Sequence, residues 1–143
     1  PTDFKTKRLK EINDCFVASD KWKSLKDKII PLEEIKKYPL ILISKGSNTR
    51  TFLDNYCEKN NIILSPEMEL ASHSLVTSFT KIGLGIGYTT KEFIESDLKE
   101  GSLFEIKTIP AIPSRQIGAA YLKQKQLNKA SLTFLELLNN VEK

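Results

Sequence analysis

Two short stretches gather groups suited to holding a small ligand. Residues 44–50 read SKGSNTR and residues 72–74 read SHS. Each directly follows an apolar run, and each offers hydroxyls and backbone N–H groups where a helix is about to start. Helix N-termini present N–H groups with no intrahelical acceptor, and their dipole favours negative charge. Ser44, Ser47, Asn48, Thr49 and Ser72 therefore form a candidate cup for a carboxylate or other oxyanion. The structural alternative is two ordinary helix caps, with Ser47 and Ser72 each worth about 1 kcal/mol. Lys45 either adds charge to the cup or points into water. His73 is the sole histidine, and its segment offers neither acid nor nucleophile to complete a catalytic dyad. The chemistry on offer is binding without bond-making, so the chain is not expected to be an enzyme.

The glycines of GLGIG (Gly83, Gly85, Gly87) evoke a dinucleotide fingerprint, which requires a strand before it and a helix after it. Here an amphipathic pattern precedes and a strand pattern follows. Gly83 is expected to end a helix in the left-handed conformation, with Gly85 and Gly87 marking a close approach of backbone or ligand to the strand. No cofactor is expected. Cys15 and Cys57 have no ligand spacing, and with one histidine they cannot make the usual zinc site. Both are expected to be reduced, with Cys57 on a helix, although a disulfide between them remains the alternative.

The elements that must position these groups alternate. A strand is expected to end near Ala18, followed by a polar loop anchored by Trp22 and Leu25. Pro31 opens a short helix that Pro39 stops. Leu40 to Ile43 is a strand, Ser47 to Lys59 a helix with Phe52, Leu53 and Tyr56 inward, and Met68 to Ala71 a strand. Ser72 to Ile82 is a helix with Leu75, Val76, Phe79 and Ile82 on one face, and Ile86 to Thr89 a strand. A third helix, Thr90 to Leu98, is expected to bury Phe93, Ile94 and Leu98 and to start at a capping box of Thr89 and Glu92. Strands SLFEI and RQIGAAYLK follow, then a helix from Leu127 to about Val141 with Ala130, Phe134, Leu138 and Val141 as its apolar stripe. Apolar strands separated by helices predict an α/β fold: a Rossmann-like, mostly parallel sheet covered on both faces. In such a sheet the 44–50 and 71–74 loops share one edge, where ligands bind.

The chain has 143 residues, enough for one ordinary domain, with 40% apolar and 28% charged residues. It has no apolar stretch near the ~20 residues of a spanning helix and no charged-then-apolar leader, which reads as a cytoplasmic protein. The net charge of +4 is spread among interleaved acids without aromatic platforms, which argues for a solvated surface over a nucleic-acid face. The opening PTDFKTKRLK lacks an initiator Met and an evident first element, and suggests a fragment of something longer.

The order YPLILISKGSNTRTFLDNYCEKNNI, PEMELASHSLVTSFTKIGLGIGYTT and KEFIESDLKEGSLFEI closely resembles the effector-binding domain of LysR-type bacterial transcriptional regulators. FVASDKWKSL is similar to the start of that family's second lobe, and RQIGAAYLKQKQLNKASLTFLELL to its return to the first. The resemblance implies a cytoplasmic bacterial regulator with a periplasmic-binding-protein-like pair of lobes and a small, often anionic, effector between them. It also implies DNA binding through an N-terminal winged helix-turn-helix absent here, and dimers or tetramers. Residues 1–18 would be a crossing strand from a truncated first lobe, 19–113 the second lobe, and 114–143 the return strand and terminal helix. Carried over residue by residue, the effector contacts are Ser44, Gly46, Ser47, Asn48, Thr49 and Ser72, with backbone near Ile86 and Gly87 as a further contact. The same architecture also serves solute-binding proteins of transport systems, which would require a signal peptide or lipid anchor upstream. A small-anion enzyme on the same sheet edge is a third possibility, disfavoured by the missing acid/base pair.

Overall fold

The computed structural model describes residues 4–122 and residue 137. The chain divides into two compact units, one holding the first and last strands and the other comprising Asn13–Pro113. In the first, β1 (Phe4–Ile12) pairs antiparallel with β8 (Arg115–Leu122), from Phe4 opposite Leu122 to Ile12 opposite Arg115, with an irregularity between Arg8 and Lys10. The opening residues, which showed no evident first element in the sequence, thus contain a strand from Phe4 onward. The helix expected over 127–141, with Ala130, Phe134, Leu138 and Val141, lies outside the described residues.

The second unit is a six-stranded sheet in the order β3-β7-β2-β6-β4-β5. Its strands are β2 (Asp14–Ala18), β3 (Ile29–Pro31), β4 (Leu40–Ile43), β5 (Met68–Leu70), β6 (Ile86–Thr90) and β7 (Phe104–Ile109). The pairs β3–β7, β4–β5 and β4–β6 are parallel, whereas β2 runs antiparallel to both β6 and β7. The sheet is therefore mostly parallel with one reversed strand near its middle. The expected crossing strand over residues 1–18 is two strands in two sheets, because the ladder breaks at Asn13 and Asp14–Val17 pair with Thr90–Gly87.

Period-two alternation distributes the apolar side chains to both faces. On one face Phe16, Ala18, Leu40, Leu42, Ile86 and Tyr88 pack with Leu53 and Cys57 of α1 (Asn48–Lys59) and with Leu25, Leu32 and Ile35. The last three come from 3-10 turns at Asp20–Leu25 and Leu32–Lys37. Trp22 helps pin the first of these, its indole N–H donating to the Gly83 carbonyl at 3.3 Å. On the other face Ile41 and Ile43 meet Val76 of α2 (His73–Ile82), while Cys15 and Val17 pack with Ile94 and Leu103. Cys15 and Cys57, both free, therefore lie on opposite faces of the sheet.

Three local expectations are corrected. The inward face of α1 is Thr49, Arg50, Leu53 and Cys57, with Phe52 and Tyr56 half-buried. The inward face of α2 is Val76 and Thr80 with Phe79 half-buried, while Leu75 and Ile82 are exposed. The third helix is a 3-10 turn, Lys91–Phe93, followed by α3 (Glu95–Glu100), with Ile94 buried and Phe93 exposed. No capping box forms there, because the Glu92 carboxylate instead accepts from the backbone N–H (2.8 Å) and side-chain amide (3.2 Å) of Asn13. A long-range hydrogen-bond pair outcompetes the local motif.

Candidate functional site

The connection β4–α1–β5 places α1 on one face of the sheet, and β5–α2–β6 returns across the other. The loops leaving β4 and β5 therefore diverge to opposite faces at neighbouring strands, the geometry of a topological switch point. Both helix starts are capped as expected. Ser47 Oγ accepts the Arg50 N–H at 3.0 Å, and Ser72 Oγ accepts the Leu75 N–H at 3.2 Å.

Gly46 adopts φ +101°, which turns the chain from β4 into α1, and a Cβ there would meet nothing within 4 Å. The loop is tied at both ends. The Ser44 N–H donates to the Leu70 carbonyl at 2.8 Å, joining the ends of β4 and β5. Arg50, only 2% exposed, donates from Nη1 to the Ile43 carbonyl at 3.1 Å and from Nε to both Asp54 oxygens at 3.1 and 3.0 Å. Its Nη1 also lies 3.6 Å from Glu69 Oε1 on β5. The arginine that closes SKGSNTR is thus the buried fastener of the loop, and Lys45 is exposed.

Of the expected contacts, Ser44, Gly46, Ser47, Asn48 and Thr49 lie together at the carboxyl end of β4, and Ser72 lies at the carboxyl end of β5. Thr49 is 4% exposed, and its Oγ1 is 3.3 Å from Nε2 of His73. His73 Nδ1 is in turn 3.2 Å from Oγ1 of Thr89, which is fully buried in β6. Three chain segments are joined at this edge by one imidazole, and the Phe93 ring braces it edge-on at 5.3 Å and 84°.

Ile86 and Gly87 lie elsewhere. Leu40 is opposite Ile86 and Ile41 opposite Gly87, so both are level with the start of β4 rather than its end. Ile86 is fully buried, and a Cβ on Gly87 would collide with Thr80 Oγ1 and crowd Val76 of α2 at 3.3 Å. The close approach at Gly87 is made by α2, through the side chains of Thr80 and Val76. Continuing the register brings Thr89 beside Ile43, so the β6 residue at the site is two positions further along.

His73 and Thr89 are the residues sequence reasoning missed. Searching a single segment for a partner to His73 could not succeed, since its partners lie 24 and 16 residues away. The available signal was that residues two apart on a strand point the same way, so Thr89 shares the Gly87 face that α2 covers.

Elsewhere in this unit a cavity of about 400 Å³ is lined by Cys15, Ile29, Lys91, Glu105 and neighbouring residues of β7. Lys91 Nζ is 2.8 Å from Glu105 Oε1, and this hydrogen bond raises the lysine's pKa. Burial, reinforced by Glu105, pushes the Cys15 thiol from 9.0 up to about 12, and burial beside Asp54 pushes Cys57 to about 11. Neither thiol is poised as a nucleophile.

The sheet order, with helices on both faces, defines an α/β domain in which two capped helix starts share one polar edge. Residues 1–142 match the LysR substrate binding domain, and the chain belongs to that family. It is 29% identical over 124 residues to the HTH-type transcriptional activator CmpR of Synechocystis sp. PCC 6803, covering 85% of this chain. The chain spans 40% of the length of that curated relative. The Synechocystis PCC6803 CcmR regulatory domain, solved in complex with 2-PG, superposes with a TM-score of 0.80 at 22% identity, covering 100% of this chain and 70% of that one. The effector binding domain of QuiR, in complex with shikimate, gives 0.76 at 20% identity, covering 96% of this chain and 65% of that one. These structural likenesses establish the fold: the same mixed α/β architecture as the CcmR regulatory domain and the QuiR effector binding domain.

Proposed function

We propose that this chain is the effector-sensing part of a bacterial LysR-type transcriptional regulator, and that its ligand is a small anionic metabolite held at the carboxyl edge of β4 and β5. The observation that carries the reading is the convergence of two capped helix N-termini at a topological switch point, where Thr49 and His73 meet at 3.3 Å. Ser44, Gly46, Ser47, Asn48, Thr49 and Ser72 would supply the donors. Ile86 and Gly87 drop out, because core packing occupies them. Regulatory domains of similar fold were solved with 2-PG and with shikimate, which supports a small-molecule ligand over transport as the role of this edge.

In this reading Asn13–Pro113 forms the second lobe, with β1 and β8 belonging to the first. The whole protein would be a cytoplasmic homodimer or homotetramer. It would bind DNA through a separate N-terminal domain and catalyse nothing. Ligand would act by binding one arrangement of the regulator better than another.

The test is thermal unfolding of the full-length regulator against a panel of carboxylates and phosphates. A native-state ligand at 100 times its Kd stabilises by about 2.7 kcal/mol. Replacing Ser47 and Thr49 with leucine should abolish the shift produced by any active anion. Stabilisation that survives both replacements would place the ligand elsewhere.

A further inference from the structure

The face of the sheet that carries Cys15 is covered unevenly. Ile94 and Leu103 pack with Cys15 and Val17, whereas Ile29 of β3 and Ile109 of β7, on neighbouring parallel strands, stay 61% and 64% exposed. A mostly parallel sheet ordinarily has both faces buried, so two bare isoleucines mark a gap in the cover. The cavity of about 400 Å³ lies there, and its lining joins these isoleucines to Lys91, Glu105, Lys107 and Asp14. That volume suits a small metabolite. The polar groups are laid out in order. Glu105, Lys107 and Ile109 are alternate residues of β7 and project from one face, an acid, a base and an apolar group in a row at steps of about 7 Å. Ile29 is opposite Lys107 on β3. Lys91 Nζ holds Glu105 Oε1 at 2.8 Å, and a carboxylate keeps lone pairs for a second donor. Lys107 is exposed and takes part in none of the ion pairs among the described residues. The other acid of the lining, Asp14, is buried and accepts from Thr90 Oγ1 at 2.7 Å. Two cations thus balance two anions. A ligand with one sign of charge leaves Lys107 or Glu105 unanswered, whereas a ligand with both signs is complementary to the pair.

We propose that this cavity is a second ligand site, separate from the β4–β5 edge, for an α-amino acid with an apolar side chain. Glu105 accepts from the ammonium, Lys107 donates to the carboxylate, and the side chain covers Ile29 and Ile109. The order of groups along β7 sets this orientation, because the apolar end of the row lies beyond the base. None of Ser44, Gly46, Ser47, Asn48, Thr49 and Ser72 lines the cavity, so the proposal stands or falls independently of the anion-binding reading.

Calorimetric titration of the full-length protein tests it. The probes are leucine, valine and methionine, each beside the matching acid that lacks the ammonium and the matching amine that lacks the carboxylate. At least one amino acid should bind, with its acid and its amine each weaker by about tenfold or more, the size of one hydrogen bond to a charged group. Lys107→Ala and Ile29→Ser change exposed side chains, so both variants should keep a urea midpoint near the wild-type value while each weakens the bound amino acid about tenfold. Glu105→Gln should weaken the amino acid and not the matching acid, a difference that a merely structural role would not produce. Failure of all three amino acids to bind at millimolar concentration overturns the proposal. Binding that survives both Lys107→Ala and Ile29→Ser also overturns it, since the ligand then sits elsewhere. A matching acid that binds as tightly as its amino acid does so too, because the ammonium is then not recognised.

Discussion

Replacing Arg50 with methionine removes a cation whose side chain is only 3% exposed while keeping most of its apolar stem. Three acceptors lose a partner, but not equally. Asp54 and Glu69 have side chains 31% and 42% exposed and can turn to water. The Ile43 carbonyl sits at the end of a buried strand, and losing its donor costs about 1–3 kcal/mol. Adding part of the charge-assisted Asp54 contact brings Arg50→Met to about 2–4 kcal/mol. Asp54→Ala works the other way: the guanidinium stays buried with one carbonyl and a carboxylate at 3.6 Å, and an under-compensated buried charge costs about 3–5 kcal/mol. The truncation of the more exposed partner is therefore expected to be the more damaging. In the double variant the stranded cation is gone, so its cost should fall short of the sum by more than about 1 kcal/mol. Urea unfolding of the four proteins measures all of this. Additivity within about 0.5 kcal/mol, or a harmless Asp54→Ala, would refute the view that Arg50 fastens the 44–50 loop through a balanced buried pair.

Further outcomes follow from other parts of the unit. Gly87→Ala should destabilise by more than about 2 kcal/mol, since its Cβ would overlap Thr80 Oγ1 and neither β6 nor α2 can retreat without breaking the packing between them. Gly46→Ala meets no atom within 4 Å, yet φ +101° should still cost about 1–2 kcal/mol, so chemical denaturation separates a steric penalty from a conformational one. Because the folded Cys15 pKa is raised, the fold favours the thiol over the thiolate. That contribution is complete below pH 9.0 and is lost as pH rises toward about 12. Stability should therefore fall less steeply above pH 9.0 in Cys15→Ala than in the wild type, as read from urea midpoints across that range. Ser47→Ala should cost about 1 kcal/mol, measured the same way, because the Arg50 N–H loses its cap.

Much of the order of elements was legible before the fold. Apolar runs flanked by caps and glycines marked β4, α1, β5, α2 and β6 to within a residue or two at each end. Ser47, Ser72 and Gly83 act locally, and their roles as caps depend on a few neighbouring residues. The failures share a cause. Leu75 and Ile82 fit an apolar stripe, but helix periodicity fixes relative angle and not which stripe meets the sheet, and Val76 with Thr80 won that contact. Glu92 sat where a capping box needs it and was taken by Asn13, 79 residues away in sequence. The 3-10 turn at Asp20–Leu25 and the short β3 carry too few residues for periodicity to register, whereas the helical turn at Leu32–Lys37 was marked by Pro31 and Pro39.

The candidate site divides along the same line. By itself the sequence determined that two polar loops follow two apolar strands and that each opens a helix, because capping and alternation are written in nearest neighbours. It also determined, through the order and spacing of those segments, the family to which the chain belongs. Only the tertiary structure decided that β4, β5 and β6 lie side by side in the order that brings Thr49, His73 and Thr89 within hydrogen-bond reach. It likewise decided that Arg50 would be swallowed as a fastener and that Ile86 and Gly87 would be core. Strand order and helix rotation are settled by the burial of both sheet faces together, a property of the whole unit that no single segment carries.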